Sequence, residues 1–540
     1  MSYNKVWAQQ EKLSKEEKMK LEKDGLEILQ DIPTFAREGF QSIPKELWSH
    51  FKWAGLYLQK PKEDGYFMMR VNIPSGIMTN DQAKVLASIA KDYGRDVIDI
   101  TTRQAIQFHW LQIEDIPDIF DRLSEVGLSS VGACGDIMRT IVGNPLAGID
   151  PHELVDTQDM VQDIYHYFQS NSDFSNLPRK YKISISSNVY NAQHAEINCL
   201  SFIPAMKDID GEKVRGFHVY VGGGLSSKPY LAQELDVFVR PEQVKDVTIA
   251  VTTIFRDHGY RDKRHRARLK FLVHDWGVEK FKEKLLEHID LPSRGVNCFE
   301  GWNGGYFYGV HDQKQPGLKY IGANVPMGRM TSADLYELAR ISEKFGQGEL
   351  RNCNTQNIII PHIPSEVVDT VLKEEIFERF TTEPNRFIGY SVSCTGIEYC
   401  NLALVETKER MRQIALKLDE RLSLDVPVRI HMVGCPNSCG QRQIADIGLQ
   451  GGLMKNKDKK MVEAFEIYVG GTLHETPTFN QKLKGKIPGE AIGRVLEDFL
   501  TYFSAHKHVG EDFYAFVQRV GVAHLQQKLD DILAIGVEAS

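Results

Sequence analysis

Apolar and polar positions along the chain fall into a pattern that occurs twice. Residues 67–71, FMMRV, form a short extended apolar run, a turn containing Pro and Gly follows, and apolar side chains then recur at helical spacing from Asp81 to Tyr93. A further strand and a second helix near 117–126 complete a strand, helix, strand, helix unit. Its helices can bury their apolar stripe only against one face of a sheet. Beyond it, KISIS and GFHVYVGG, and later VRIHMVG and FEIYVGG, read as strands, while Glu242–His258 and Gly489–Phe503 read as helices.

The recurrence is visible in the letters. NIPSGIMTNDQAKVLASIAKDYG at 72–94 parallels NVPMGRMTSADLYELARISEKFG at 324–346, with Pro74 and Pro326 separated by 252, and the same offset sets Gln104 over Gln356. QHAEINCL near 193 resembles QIADIGLQ near 443, and HVYVGGGLSSKP at 218–229 resembles EIYVGGTLHETP at 466–477. A unit of about 250 residues is far longer than a solenoid repeat, so duplication with fusion explains it better than an array. The expected class is α+β, internally duplicated, and a pseudo-twofold pair leaves a central cleft suited to a cofactor. The expected boundaries are a helical extension over 1–50, half-units over 51–127 and 319–383, larger α/β units over 128–295 and 384–540, and a Gly- and aromatic-rich surface linker over 296–318.

Composition narrows the function classes. A chain of 540 residues with 42% hydrophobic and 26% charged residues has ample core for two or more domains. A formal net charge of -8 argues against a generic nucleic-acid binder, whose affinity rests on phosphate neutralisation. The Lys- and Glu-rich first 25 residues lack a secretory h-region, and nowhere do 18 apolar residues run together, so a reducing cytoplasmic setting is expected.

Of eight cysteines, Cys134, Cys199, Cys298 and Cys353 are scattered, whereas Cys394-x5-Cys400-x34-Cys435-x3-Cys439 is a cluster. CPNSCG presents two thiols on an irregular turn whose amide N–H groups can stabilise thiolate charge. Disulfides suit a reducing compartment poorly, and structural zinc prefers tighter pairs. A 4Fe-4S cluster, which needs four thiolates around a cube, tolerates this spacing.

Four basic segments also stand out: YFMMRVNIPSG with Arg70, ITTRQAIQFHW with Arg103, GDIMRTIVGNPLAGID with Arg139, and NLPRKYKISISS with Lys180 and Lys182. One isolated Arg or Lys is ordinarily a solvated surface charge. Lys180 and Lys182, at alternate positions of a strand, project together and repel unless an anion lies between them. Cys134, five residues before Arg139, reads first as an inert buried thiol, with Tyr57 in GLYLQ as a candidate neighbour. VGGGLSS at 221–227 lacks G-x-G-x-x-G spacing and reads as a structural turn rather than a nucleotide site.

SCTGIEYCNLALVETK at 393–408 and VGCPNSCGQ at 433–441 resemble the sirohaem-dependent nitrite and sulfite reductases, and the resemblance runs from about residue 50 over most of the chain. It implies two ferredoxin-like half-units plus two larger α/β sirohaem and cluster-binding units around the cleft. It implies that Cys394, Cys400, Cys435 and Cys439 hold the 4Fe-4S cluster, with Cys439 bridging to the sirohaem iron. It assigns Arg70, Arg139, Lys180 and Lys182 to the substrate and Arg103 to sirohaem carboxylates. Thr101, Gln104, Asn144, Gln356 and Asn357 fall to the cofactor pocket. Nitrite reductases resembling this chain typically carry Asn at position 182 and sulfite reductases Lys, so the resemblance favours six-electron reduction of sulfite to sulfide, with nitrite to ammonia as the alternative. Ferredoxin is the implied donor, and a flavoprotein subunit using NADPH the second choice. A non-catalytic iron-sulfur or haem sensor is the contrasting class, and it has no use for the basic set.

Overall fold

A computed structural model describes residues 6–188, 190–191, 193–298, 304–474 and 476–538. The chain divides into two compact units, one of residues 1–224, 230–322 and 329–379, the other of residues 225–229, 323–328 and 380–540.

In the first unit the two half-units of the repeat each form a five-stranded sheet, and each borrows its last strand from the other copy. One sheet orders Leu56–Leu58, Phe67–Val71, Ile106–Leu111, Ile98–Ile100 and then Arg329–Met330; the other orders Gly309–Asp312, Leu318–Ala323, Ile358–Pro364, Glu349–Asn352 and then Ile77–Thr79. The exchanged strands pair antiparallel, Arg329 with Asp99 and Leu350 with Met78. An edge strand that would otherwise expose unpaired backbone is thereby covered on both sheets. The helices Asn80–Asp92 and Ser332–Phe345 follow the exchanged strands and pack on each other, with Lys84 and Glu343 bridging them at 2.9 Å. Both open on a threonine capping box, Thr79 with Gln82 and Thr331 with Asp334.

Backbone strain repeats with the same period. Gln104 and Gln356 have φ of 60° and 68°, Ser75 and Met327 56° and 53°, and Trp110 and His362 66° and 63°. Non-glycine residues seldom enter the left-handed region, so three matched pairs at one offset mark a duplicated conformation rather than chance.

The larger sheet of the first unit sets Val142–Gly143, Ile183–Ile185 and Leu200–Ile209 parallel, then Glu212–Val221 and Gln233–Val239 antiparallel. The second unit repeats this order with Ser391–Ser393, Ile430–Val433 and Ile447–Lys455 parallel and Met461–Val469 and Gln481–Lys482 antiparallel. The cores agree: Val219, Phe217, Val247 and Phe255 pack in the first unit, and Ile467, Phe465, Val495 and Phe503 in the second.

The expected helices appear with shifts of a few residues, as Asn80–Asp92, Ile116–Glu125, Val244–His258 and Ile492–His506. The segment read as linker is shorter than expected. Its glycines and aromatics conceal the edge strand Gly309–Asp312, which pairs with Leu318–Ala323, and its residues 299–303 lie outside the described residues. The N-terminal extension contains the helices Lys15–Glu22 and Ile28–Glu38. Lys20 is buried and pairs with Glu17 at 2.6 Å and Asp136 at 2.9 Å; Asp136 also pairs with Arg264 at 2.7 Å and Arg179 at 3.1 Å, while Glu17 pairs with Arg261. The first helix is thus fastened to the loop carrying Cys134 and Arg139. Among the described residues no helix is long and apolar enough to cross a membrane.

Candidate functional site

Within the first unit, adjacent strands and loops bring the basic segments together. Arg70 leaves the strand Phe67–Val71 and donates from Nη2 to Gln107 Oε1 at 2.9 Å on the neighbouring strand. Arg139 folds over its own loop, donating to the carbonyls of Gly135 at 2.7 Å and Ala133 at 3.2 Å, while its amide donates to the Tyr181 carbonyl. Arg103 is 9% exposed and donates to Thr140 O, Ile183 O and Asn198 Oδ1. Burial pulls its pKa down to about 9, and Arg139, Arg70 and Arg268 push the same way. These three predicted arginines therefore form one electrostatic group.

Lys180 and Lys182 flank the fully buried Tyr181, which bridges to Met138, and their charges act on Lys270 and Cys199 respectively. The strand proper begins one residue later, at Ile183.

Three residues not singled out for this site complete it. Arg268 donates to the buried Cys199 thiol at 3.4 Å, and it occupies space that a side chain at Gly224 would fill. That close approach explains the VGGGLSS turn. Burial opposes ionisation of Cys199, but Arg268 and Lys182 outweigh it and hold the thiol below its ordinary pKa. Lys270, 2% exposed, is pulled down to about 7 by burial, with Arg268 and Lys180 adding to the effect. The signal was present in RHRARLKFLVHDW: Arg268 and Lys270 stand at the start of the helix Leu269–Trp276, where a cation opposes the helix dipole and needs another reason to be there.

The strongest charged influences on Arg103 and Lys270 are other cations and one thiol. Buried cations gathered this way repel each other unless anions join them, so the donor set fits a polycarboxylate macrocycle together with a small oxyanion.

The predicted amides are packed more tightly than expected. Thr101–Ala105 and Cys353–Asn357 are equivalent turns, each closed by a backbone bond, and they interlock: Gln104 Nε2 donates to Asn352 O at 3.1 Å, Asn352 Nδ2 returns a bond to Gln104 O at 3.1 Å, and Gln356 Nε2 donates to Ile100 O at 3.0 Å. Gln104 also binds Ser75 O and both the amide and the carbonyl of Gly143. Asn144 bonds Ser187 Oγ and the Leu146 amide, Asn357 bonds Thr355, and Thr101 Oγ1 accepts from the amides of Arg103 and Ala105. Tyr57, which burial pushes up to about 12, hydrogen-bonds Cys134, with Arg139 and Arg70 close by.

The second unit holds all four clustered cysteines. Cys394 follows the strand Ser391–Ser393, Cys435 and Cys439 follow Ile430–Val433, and Cys400 lies on the loop whose Leu404 amide binds Gly434 O at 2.9 Å. The Gly434 amide donates to Cys394 Sγ at 3.2 Å. Burial pushes Cys394 up to about 12 and Cys435 up to about 11, with Cys400 and Cys439 acting on both as neighbouring like charges. None of the four is joined in a disulfide. Among the described residues no three His, Cys, Asp or Glu side chains converge on a single ion. Four neighbouring thiols of like charge fit an iron-sulfur cluster, whose positive charge would offset the thiolates that burial disfavours at Cys394 and Cys435.

Comparison with known proteins agrees with this geometry. The nitrite and sulphite reductase 4Fe-4S domain matches residues 134–292 and 388–535, and the nitrite/sulfite reductase ferredoxin-like half domain matches 59–126 and 311–375. A ferredoxin–nitrite reductase of Synechococcus elongatus is 42% identical over 91% of this chain and 96% of its own. Sulfite reductase [ferredoxin] 1 of Mycolicibacterium paratuberculosis is 35% identical over 96% and 98%. The solved Mycobacterium tuberculosis NirA protein superposes with a TM-score of 0.90 at 33% identity, covering 97% of this chain and 100% of its own. The chain belongs to the nitrite and sulphite reductase family, whose reaction centre joins a 4Fe-4S cluster to sirohaem.

Proposed function

We propose that the chain reduces a small oxyanion by six electrons drawn from ferredoxin, with nitrite to ammonia as the first reading. The observation that carries the reaction class is the buried cation set around Arg103 and Lys270, in a chain that also gathers Cys394, Cys400, Cys435 and Cys439 in its second unit. The choice of nitrite is supported by the 42% identity to a ferredoxin–nitrite reductase over 91% of the chain. A reducing cytoplasmic setting suits eight cysteines that form no disulfide.

Sulfite to sulfide is the second reading, favoured by Lys182. Sulfite is largely a dianion near neutral pH and nitrite a monoanion, so an additional cation in a partly desolvated pocket favours sulfite.

In this reading Cys394, Cys400, Cys435 and Cys439 would hold the 4Fe-4S cluster. Bound together, the two cofactors supply single electrons beside the substrate. The chain's own residues do the rest. Arg70, Arg139, Lys180 and Lys182 hold the oxyanion and neutralise charge as oxygens leave. Lys270, poised to exchange protons near neutrality, can pass them to the neighbouring Lys180. Arg103, Thr101, Gln104, Asn144, Gln356 and Asn357 shape the cofactor pocket. Because Gln104 and most of Arg103 are bonded to carbonyls, these two act first as the frame that orders the cations.

Steady-state turnover with reduced ferredoxin, and separately with reduced methyl viologen, tests the reading through ammonium and sulfide formed from nitrite and sulfite. Ammonium as the faster product supports the first reading, faster sulfide supports the second, and absence of both products overturns the reductase assignment.

A further inference from the structure

The duplication supplies an internal comparison at Lys182. On matching pairs of parallel strands, Ile183 pairs with Leu200 in the first copy and Ile430 with Ile447 in the second. The residues just before them therefore correspond, Lys182 with Arg429 and Cys199 with Asp446. The backbone bonds agree. The Leu200 amide donates to Lys182 O as the Ile447 amide donates to Arg429 O, and the Gly222 amide donates to Cys199 O as the Gly470 amide donates to Asp446 O.

A third position completes the match. A side chain at Gly222 would meet Val273, and one at Gly470 would meet Val517; these valines stand at the fifth position of the helices Leu269–Trp276 and Phe513–Val520. The N-cap residues of the two helices are Arg268 and Asp512.

The same three positions carry opposite charge in the two copies. In the second, the Arg429 guanidinium donates to both oxygens of the buried Asp446 carboxylate, and Asp512 adds its negative charge beside them. In the first, Arg268 donates to the fully buried Cys199 thiol at 3.4 Å, and the charge of Lys182 also acts on that sulfur. One cation facing two carboxylates has its counterpart in two cations facing a thiol.

A buried carboxylate bonded to a cation cancels much of the field that the cation presents to a ligand. Sulfur is a weak acceptor, and burial opposes its ionisation, so a thiol of similar bulk fills the position with far less cancellation. A buried cysteine is ordinarily a small apolar filler. Apolar filling, however, gives no reason for a guanidinium at the start of a helix to donate to that sulfur.

We propose that Cys199 is a specificity-determining residue: standing where the second copy has Asp446, it keeps the charge of Lys182 directed to the oxyanion and thereby favours a dianion over a monoanion. The proposal rests on the reading above in which Lys182 holds the substrate. Cys199 acts through Lys182 and Arg268 and is a positioning residue.

The test uses holoenzyme carrying Cys199→Asp or Cys199→Asn, which differ in charge and hardly in size, each alone and combined with Lys182→Asn. KM and kcat for sulfite and for nitrite are measured with methyl viologen, together with thermal melting. Relative to Cys199→Asn, Cys199→Asp is expected to raise KM for sulfite about tenfold with kcat little changed, to raise KM for nitrite less, and to melt no lower. In the Lys182→Asn background the same comparison should shift KM by at most about threefold, because the cation to be cancelled is gone. Equal KM values for the two variants overturn the role of position 199, and so does a full effect that persists without Lys182. Failure of Cys199→Asp to fold also overturns it, because a carboxylate meeting Lys182 as Asp446 meets Arg429 would be compensated. If Lys182→Asn alone leaves KM for both anions unchanged, the assignment of Lys182 to the substrate falls, and the proposal with it.

Discussion

Arg70 is oriented by Gln107, whose Oε1 accepts from its Nη2 at 2.9 Å, and Gln107 Nε2 lies 3.4 Å from His109 Nε2. His109 Nε2 lies 2.9 Å from Asp99 Oδ2, and Asp99 takes two bonds from Arg329 at 2.9 and 3.1 Å. Of its approaches to Gln107 and Asp99, His109 Nε2 makes one bond at a time, and the shorter approach, to the Asp99 carboxylate, is the one a ring N–H donates to. A partly exposed arginine from the second copy thereby fixes the ring that lies beside Gln107 in the first.

Replacing Gln107 with Leu keeps the bulk and removes the acceptor. A hydrogen bond to a charged group contributes about 1.5–3 kcal/mol, so KM for the oxyanion is expected to rise roughly tenfold or more while kcat changes less. Methyl viologen assays, which exclude donor docking, check the split; an unchanged KM would show that Arg70 needs no such support.

Lys182→Asn removes one cation and keeps a hydrogen-bonding side chain. The ratio of kcat/KM for sulfite over that for nitrite is expected to fall by about tenfold, equivalent to about 1.4 kcal/mol of lost discrimination. Paired assays of both substrates on one preparation check it, and an unaltered ratio would assign specificity elsewhere.

Lys270 gives the pH dependence. Burial first, then Arg268 and Lys180, lower its pKa to about 7, so it is charged below that value and neutral above it. Oxyanion affinity should therefore weaken as pH rises through about 7. Lys270→Arg, charged throughout, should flatten that limb; KM profiles from pH 6 to 8 for both proteins measure it, with the range chosen about the roughly neutral value at issue.

Asp136 is a matter of stability. Burial alone would raise its pKa, but Lys20, Arg264 and Arg179 overcome this and hold the carboxyl well below the usual range. A depressed folded pKa means stability that is present above about pH 4 and lost as pH falls through the folded value. Asp136→Asn leaves buried cations uncompensated and should cost about 3–5 kcal/mol near neutrality, with the gap to the unmodified protein narrowing in acid. Urea unfolding at pH 7 and pH 3.5 is the measurement.

Much of this organisation is legible in the letters because a duplicated chain reports on itself. The offset joining Pro74 to Pro326 also joins the left-handed Gln104 to Gln356. The four-cysteine spacing and the alternation of Lys180 and Lys182 around Tyr181 were equally readable. The exchanged strands were not. Ile77–Thr79 and Arg329–Met330 are too short to carry a periodic signal, and nothing local names their partners. Cys199 escaped because a lone buried cysteine is unremarkable until folding brings Arg268 and Lys182 to it, whereas Arg268 and Lys270 left a signal in their place at a helix start.

The exchange of edge strands has a consequence for ancestry and for folding. Either half-unit alone leaves a sheet unfinished at the strand its counterpart supplies. A single-copy ancestor could complete both sheets only as a homodimer trading those same segments, and fusion turned that assembly into an intramolecular one of high effective concentration. Separately expressed halves should therefore be unstable alone and recover order only when mixed.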